Sequence, residues 1–250
     1  SRTRNKQKII SQEDSDRKRE QIMLHYWQRE IENLKKLILS LGAIVEEQIQ
    51  RAMLSLERRD TALADEVIIR DREVDSLEIL IEEECLKILA LYQPVAKELR
   101  FVVAVLKMNN DLERMGDLAS NIAKRARYLS RKEKIELLSD FIEISGKVQS
   151  MVKKSLDALV NTDVVLAKEV LAADDEVDRL TKQMLKRTVN AIEKNPDRTK
   201  EFFSIRSISK NLERIADSAT NIAEDVVYLC SGEIIRHQSE DFNPEEQHER

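Results

Sequence analysis

The segment LERMGDLASNIA at residues 112–123 returns as LERIADSATNIA at 212–223, and each copy carries a Glu, an Asp and an Asn spaced by four. Between Leu112–Leu129 and Leu212–Leu229, ten of eighteen positions are identical. A spacing of four places Glu113, Asp117 and Asn121 on one face of a helix, and likewise Glu213, Asp217 and Asn221. Two more pairs share that spacing, Asp71 with Asp75 and Asp174 with Asp178. Asp71 lies between Val67 and Val74 on an apolar face, where an unpaired carboxylate is costly. Antiparallel helices joined near Gln93 set side by side those residues that are equally far from the turn. Asp75 lies eighteen residues before Gln93 and Glu113 twenty after it; Asp71 lies twenty-two before and Asp117 twenty-four after. With the second turn at Asn195, Asp178 and Glu213 are seventeen and eighteen residues away, Asp174 and Asp217 twenty-one and twenty-two. The spacing predicts four carboxylates meeting at one level in each half of the chain.

Four like charges repel one another unless protons, Arg side chains or a cation offset them. An all-oxygen donor set suits a hard cation, Mg, Mn, Ca or ferric Fe, and suits zinc less in the absence of His or Cys. The competing reading is a purely structural helical adaptor whose carboxylates form salt bridges with Arg114, Arg214 and other basic side chains. A third reading, a metal-dependent hydrolase or redox enzyme, lacks its accessory chemistry. There is no Glu-x-x-His motif, no Gly-rich phosphate loop, no Cys-x-x-Cys and no nucleophile with its base. His25, His237 and His248 fall outside the expected inner helix faces. The basic run Lys124, Arg125, Arg127, Arg131 and Lys132 suits the negative end of a helix dipole. Because Glu224 and Asp225 replace Lys124 and Arg125 in the second copy, a shared phosphate-binding role is disfavoured. A net charge of −5 argues against a nucleic-acid partner.

The elements that must position these residues are helices. The 250 residues include four Gly and three Pro, are 36% charged and only 4% aromatic. Few turn formers and abundant Leu, Ile, Val and Ala describe long helices packed along apolar seams. The duplication extends beyond the opening segment: LADEV (63–67) matches LAKEV (166–170), and EVDSL (73–77) matches EVDRL (176–180). Those pairs are offset by 103 residues against 100 for the first, so a loop falls near LYQPVAKELR and EKNPDRTKEF. Each half carries three helical patterns. The first runs from about His25 to Arg58, Asp60 and Asp163 cap the second helices, and Pro94 and Pro196 mark the start of the third. Phe101, Val105, Met108, Leu112, Met115, Ala119, Ile122, Ala126 and Leu129 step by four and three, a coiled-coil-like seam. The expected fold is all-α, two tandem antiparallel three-helix bundles in an elongated pair. Their bounds are 23–131 and 136–235, with polar extensions at 1–22 and 236–250. No apolar run is long enough for a transmembrane helix. Cys85 and Cys230 lie in different repeats and are expected reduced, in a cytoplasmic protein. Trp27 and Tyr26 are expected to staple the first helix to its neighbours.

LERMGDLASNIAKRA and LERIADSATNIAE, with ALYQPVAKELR before the first copy and SGEIIRHQ after the second, resemble the PhoU family of phosphate-uptake regulators over about residues 23 to 238. The resemblance implies a cytoplasmic, non-enzymatic protein that is a homodimer or a higher oligomer and dampens phosphate uptake and phosphate-starvation signalling. It implies contact with the phosphate ABC transporter ATPase and with a phosphate-sensing histidine kinase, and hence only peripheral association with membrane complexes. It also implies metal ions or clusters held by paired acidic motifs, which fall here on Glu113, Asp117, Glu213 and Asp217, with Asn121 and Asn221 following the same motif. Asp71, Asp75, Asp174 and Asp178 join that set from the hairpin spacing alone.

Overall fold

The computed structural model describes the backbone of residues 2–135 and 140–231, and the side chains of 26–135 and 141–231. The helices are α1 (Arg2–Arg58), α2 (Thr61–Tyr92), α3 (Ala96–Ser130), α4 (Asp140–Asn161), α5 (Val164–Lys194) and α6 (Thr199–Ser231). A 3-10 turn, Pro196–Arg198, leads into α6, and no strand occurs among the described residues. The first helix starts at Arg2, far ahead of the expected His25. Residues 2–25 contain neither Gly nor Pro, so nothing in them breaks a helix once α1 has formed.

Two corners repeat with the same chemistry. Arg59 (φ 56°) and Thr162 (φ 53°) adopt left-handed backbone just after α1 and α4. The amide of Asp60 then bonds the carbonyl of Ser55 at 3.0 Å, and that of Asp163 the carbonyl of Ala158 at 2.9 Å, closing Schellman motifs. The same aspartates start the next helices. Asp60 Oδ1 accepts from the amides of Ala62 and Leu63, and Asp163 Oδ1 from those of Val165 and Leu166. A β-branched residue is poorly suited to positive φ. Thr162→Gly is therefore expected to stabilise the protein by about 1 kcal/mol, read as a rise of about 2–4 °C in Tm. A lower Tm would show that the threonine side chain contributes more than its backbone strain costs.

The seam is buried as its spacing requires. Val105, Met108, Leu112, Met115, Ala119, Ile122 and Ala126 are inaccessible to solvent, while Phe101 is only part-buried at its end. The helix termini at Tyr92 and Lys194 precede the two prolines, and α2–α3 and α5–α6 are antiparallel hairpins. Each half is thus a three-helix bundle. Beyond that, α3 packs against α6 as extensively as against α2, and α1 touches α4, so the bundles lie side by side along their third helices. Gly116 permits a close approach within the first bundle: a Cβ there would lie 3.1 Å from Val74 Cγ1 and 3.2 Å from Gln48 Oε1. At the turn of the α2–α3 hairpin, Trp27 of α1 meets the Tyr92 ring edge-on, centroids 5.8 Å apart. His25, His237 and His248, with the segment SGEIIRHQ beyond Ser231, lie outside the residues whose side chains are described.

Candidate metal centres formed by paired carboxylates

In both halves the hairpin brings the four carboxylates into one electrostatic neighbourhood. Burial first, then the charges of Asp117, Glu78, Asp75 and Asp71, raise the Glu113 carboxyl above its ordinary range. Asp71 is raised chiefly by burial and further by Asp117 and Asp75, against opposition from the Ser120 hydroxyl close by and from Lys124. In the second half, burial and the charges of Asp217, Asp178, Asp175 and Glu213 push Asp174 up to about 6. Asp217 is raised by burial, Glu213 and Asp178, with Lys210 and Arg114 opposing. Each group is reached by charges from the opposite helix of its hairpin, as the counting from Gln93 and Asn195 predicts. Asp75, Asp117 and Asp217 reach solvent, so both clusters sit at the bundle surface.

Salt bridges account for little of this charge. Lys210 lies 2.6 Å from Glu213 and Lys182 3.2 Å from Asp178, both within one helix. Among the described residues neither Arg114 nor Arg214 comes within ion-pair distance of any carboxylate in either cluster. Asn121 accepts from Lys124 Nζ at 3.4 Å. Asn221 turns the other way, donating 3.0 Å to Asp111 Oδ1 of α3 across the interface between halves. The two asparagines are thus engaged elsewhere.

The donor set is hard oxygen throughout, and the half-buried Asp71 meets the like charges of Asp117 and Asp75 with only the Ser120 hydroxyl and the Lys124 ammonium opposing them. Both features fit a cation that relieves mutual repulsion. Among the described residues no three of these side chains lie together as the ligands of one metal ion would. Sequence spacing missed Glu78, which lies one turn beyond Asp75 and reaches Glu113 electrostatically. Its i+3 relation to Asp75 was the available signal, but its repeat counterpart is Thr181, so the duplication hides it.

The raised carboxyls make a pH prediction. Unfolded Asp174 titrates near its ordinary 3.8 and folded Asp174 near about 6, so the folded state holds the proton more tightly. The resulting stabilisation is complete below the unfolded value and is lost as pH rises through the folded one. With solvent screening the contribution is about 1 kcal/mol, or about 2–4 °C in Tm of the metal-free protein between pH 5 and 7.5. Asp174→Asn is expected to reduce that drop; an unchanged drop would remove Asp174 as its source.

Comparison with known proteins agrees with this architecture. A family profile described as "PhoU domain" matches residues 38–126 and 141–226. A protein from Aquifex aeolicus named "Phosphate-specific transport system accessory protein PhoU homolog" is 37% identical over 210 residues, 84% of this chain and 95% of its own. The similarly named protein of Pseudomonas aeruginosa is 38% identical over 211 residues, 83% of this chain and 86% of its own. The crystal structure of PhoU from Pseudomonas aeruginosa superposes with a TM-score of 0.81 at 36% identity, over 83% of this chain and all of that one. The crystal structure of the phosphate transport system regulatory protein PhoU from Streptococcus pneumoniae gives 0.77 at 28% identity, over 83% of this chain and 98% of that one. Two copies of the domain, one per bundle and each holding its own carboxylate hairpin, place this chain in the PhoU family.

Proposed function

We propose that this protein is a non-enzymatic negative regulator of phosphate uptake and phosphate-starvation signalling. It acts in the cytoplasm as a homodimer or higher oligomer, by contact with the phosphate ABC transporter ATPase and a phosphate-sensing histidine kinase. The observation that carries the reading is the doubled PhoU domain over most of the chain, with relatives named for the phosphate-specific transport system. No helix among the described residues is long and apolar enough to cross a membrane, which agrees with peripheral association.

In this reading Glu113, Asp117, Asp71 and Asp75 hold one hard cation, and Glu213, Asp217, Asp174 and Asp178 a second. Such a cation supplies positive charge that neutralises the cluster and fixes the side-chain arrangement of the α2–α3 and α5–α6 hairpins. The carboxylates orient it, and their protons must leave for it to bind. The sparse internal salt bridges favour this over the salt-bridged adaptor. The test is purification of the tagged full chain from phosphate-replete cells together with the transporter ATPase subunit. Specific co-purification that weakens on chelation is expected. Failure of purified ATPase and loaded regulator to associate would overturn the reading.

A further inference from the structure

The contact between the halves finishes differently at its two ends. Helices α3 and α6 run antiparallel there, since Lys107 meets Asp225 and Asp111 meets Asn221. The duplication, at an offset of 100, makes the two ends equivalent. At one end the Lys107 ammonium reaches both the buried Asp225 carboxylate, at 3.2 Å, and the Tyr228 ring, 5.4 Å from its centroid. A cation, an anion and an aromatic ring thus close that corner among themselves. At the other end Tyr128 keeps the place of Tyr228, but Arg125 stands for Asp225 and Ser207 for Lys107. The anion has become a cation, and the long side chain has become a short one.

What remains is a groove of about 450 Å³ lined by Arg125 and Tyr128 of α3 and by Lys200, Phe203 and Ser204 of α6. No carboxylate is among these residues. Arg125 and Lys200 are exposed, and neither makes an ion pair among the described residues, whereas nearby Arg127 pairs with Asp65 at 2.6 Å. Lys132 adds a third ammonium, 5.4 Å from the Tyr128 ring centroid. The Ser204 hydroxyl donates to the Lys200 carbonyl at 3.0 Å, so the polar character of the groove comes from its cations. In a chain of net charge −5 this is a local reversal of sign, which attracts an anion. Phe203 stands beside these cations 63% exposed, where the equivalent residue is the smaller Val103. A large aromatic side chain left in water next to unpaired cations suits a ligand with both an anionic and a flat apolar part.

We propose that this groove binds a nucleoside phosphate. Arg125 and Lys200 take the phosphoryl oxygens, the guanidinium through its forked N–H donors and the ammonium as a point charge. Phe203 and Tyr128 supply rings on which the base stacks, an interaction that tolerates any base. The volume falls within the range of about 300–1,000 Å³ usual for small-molecule pockets. The site belongs to one end of the contact only, because Asp225 would repel a phosphate at the equivalent corner and Lys107 already occupies it. It uses none of the carboxylates of the two hairpins, so it is independent of any cation held there.

The test titrates the full chain calorimetrically with ADP, with adenosine and with orthophosphate, at pH 7.5 in excess chelator. Wild type is expected to bind one ADP per chain, and adenosine or orthophosphate at least about tenfold more weakly, since each engages only half of the groove. Arg125→Asp, which copies the second half, should weaken ADP by at least about tenfold. Phe203→Val, which copies Val103, should weaken ADP about tenfold and leave orthophosphate unchanged. Both side chains are exposed, so the circular dichroism of each variant should match wild type. No ADP binding by wild type, or equal binding by both variants, would overturn the inference and leave the regulator reading untouched. Orthophosphate binding as tightly as ADP would also overturn it, since the rings would then take no part. If wild type instead sediments with phosphatidylglycerol vesicles, Arg125→Asp does not, and ADP fails to compete, the groove is a membrane contact and the nucleotide assignment fails.

Discussion

Replacing Asp117 and Asp217 together by Ala is expected to reduce cation affinity at both sites by at least 100-fold while leaving helical content unchanged. Each aspartate sits where charges from the opposite helix converge, Asp117 on Asp71 and Glu113, and Asp217 receiving the fields of Glu213 and Asp178. Both side chains are exposed, so truncation leaves no cavity in the seam. Removing a negative charge from a crowded cluster relieves repulsion, so the metal-free variant should be as stable as wild type or slightly more so. The clearest readout is linkage. A cation at 100 times its Kd stabilises a one-site protein by about 2.7 kcal/mol, so wild type should gain several degrees of Tm on adding metal and the variant none. Loss of circular dichroism in the metal-free double variant would instead assign the two aspartates to the fold.

The second large effect concerns the contact between halves. Asp225 of α6 is 2% exposed and lies 3.2 Å from Lys107 Nζ of α3, with the Tyr228 ring 5.4 Å from the same ammonium. Lys107→Met keeps most of the stem volume and takes the cation away from a buried carboxylate. Stripping one partner from a buried pair typically costs about 3–5 kcal/mol. Because Lys107 is partly exposed, the lower end of that range is expected, about 3 kcal/mol. In urea this should appear as a lower midpoint. If α3 and α6 separate before the bundles melt, a second transition or a reduced slope should accompany it. Adding Asp225→Asn should recover part of the loss, since the buried side chain is then neutral. A midpoint within error of wild type would mean that the Lys107–Asp225 pair adds nothing net to the α3–α6 contact.

What the chain discloses before its structure follows from the range of each interaction. Asp60 and Asp163 are legible as caps because a cap needs only its own next three amides. The buried stripe from Val105 to Ala126 is legible because helical periodicity is local. Convergence of Asp71, Asp75, Glu113 and Asp117 could be counted because a hairpin with one tight turn has almost no freedom of register. The duplication then supplied the same count a second time. Lys107–Asp225 and Asp111–Asn221 escaped, since they join residues more than a hundred positions apart on helices whose mutual packing no local pattern records. The duplication even worked against them, because Asp225 faces Lys107 while its counterpart Arg125 faces no such pair: Ser207 stands at the position equivalent to Lys107. The start of α1 escaped for the opposite reason. Its polar first turns carry neither an apolar stripe to reveal a helix nor a Gly or Pro to end one.

Whether each repeat holds a cation decides the role of the two carboxylate clusters. Elemental analysis after removal of adventitious ions, followed by calorimetric titration of the full chain with a hard divalent or ferric ion at pH 7.5, measures this. Two equivalents per chain, both lost in the Asp117→Ala, Asp217→Ala variant, are the predicted result. Absence of binding at millimolar ion, or binding that the double variant retains, would contradict it.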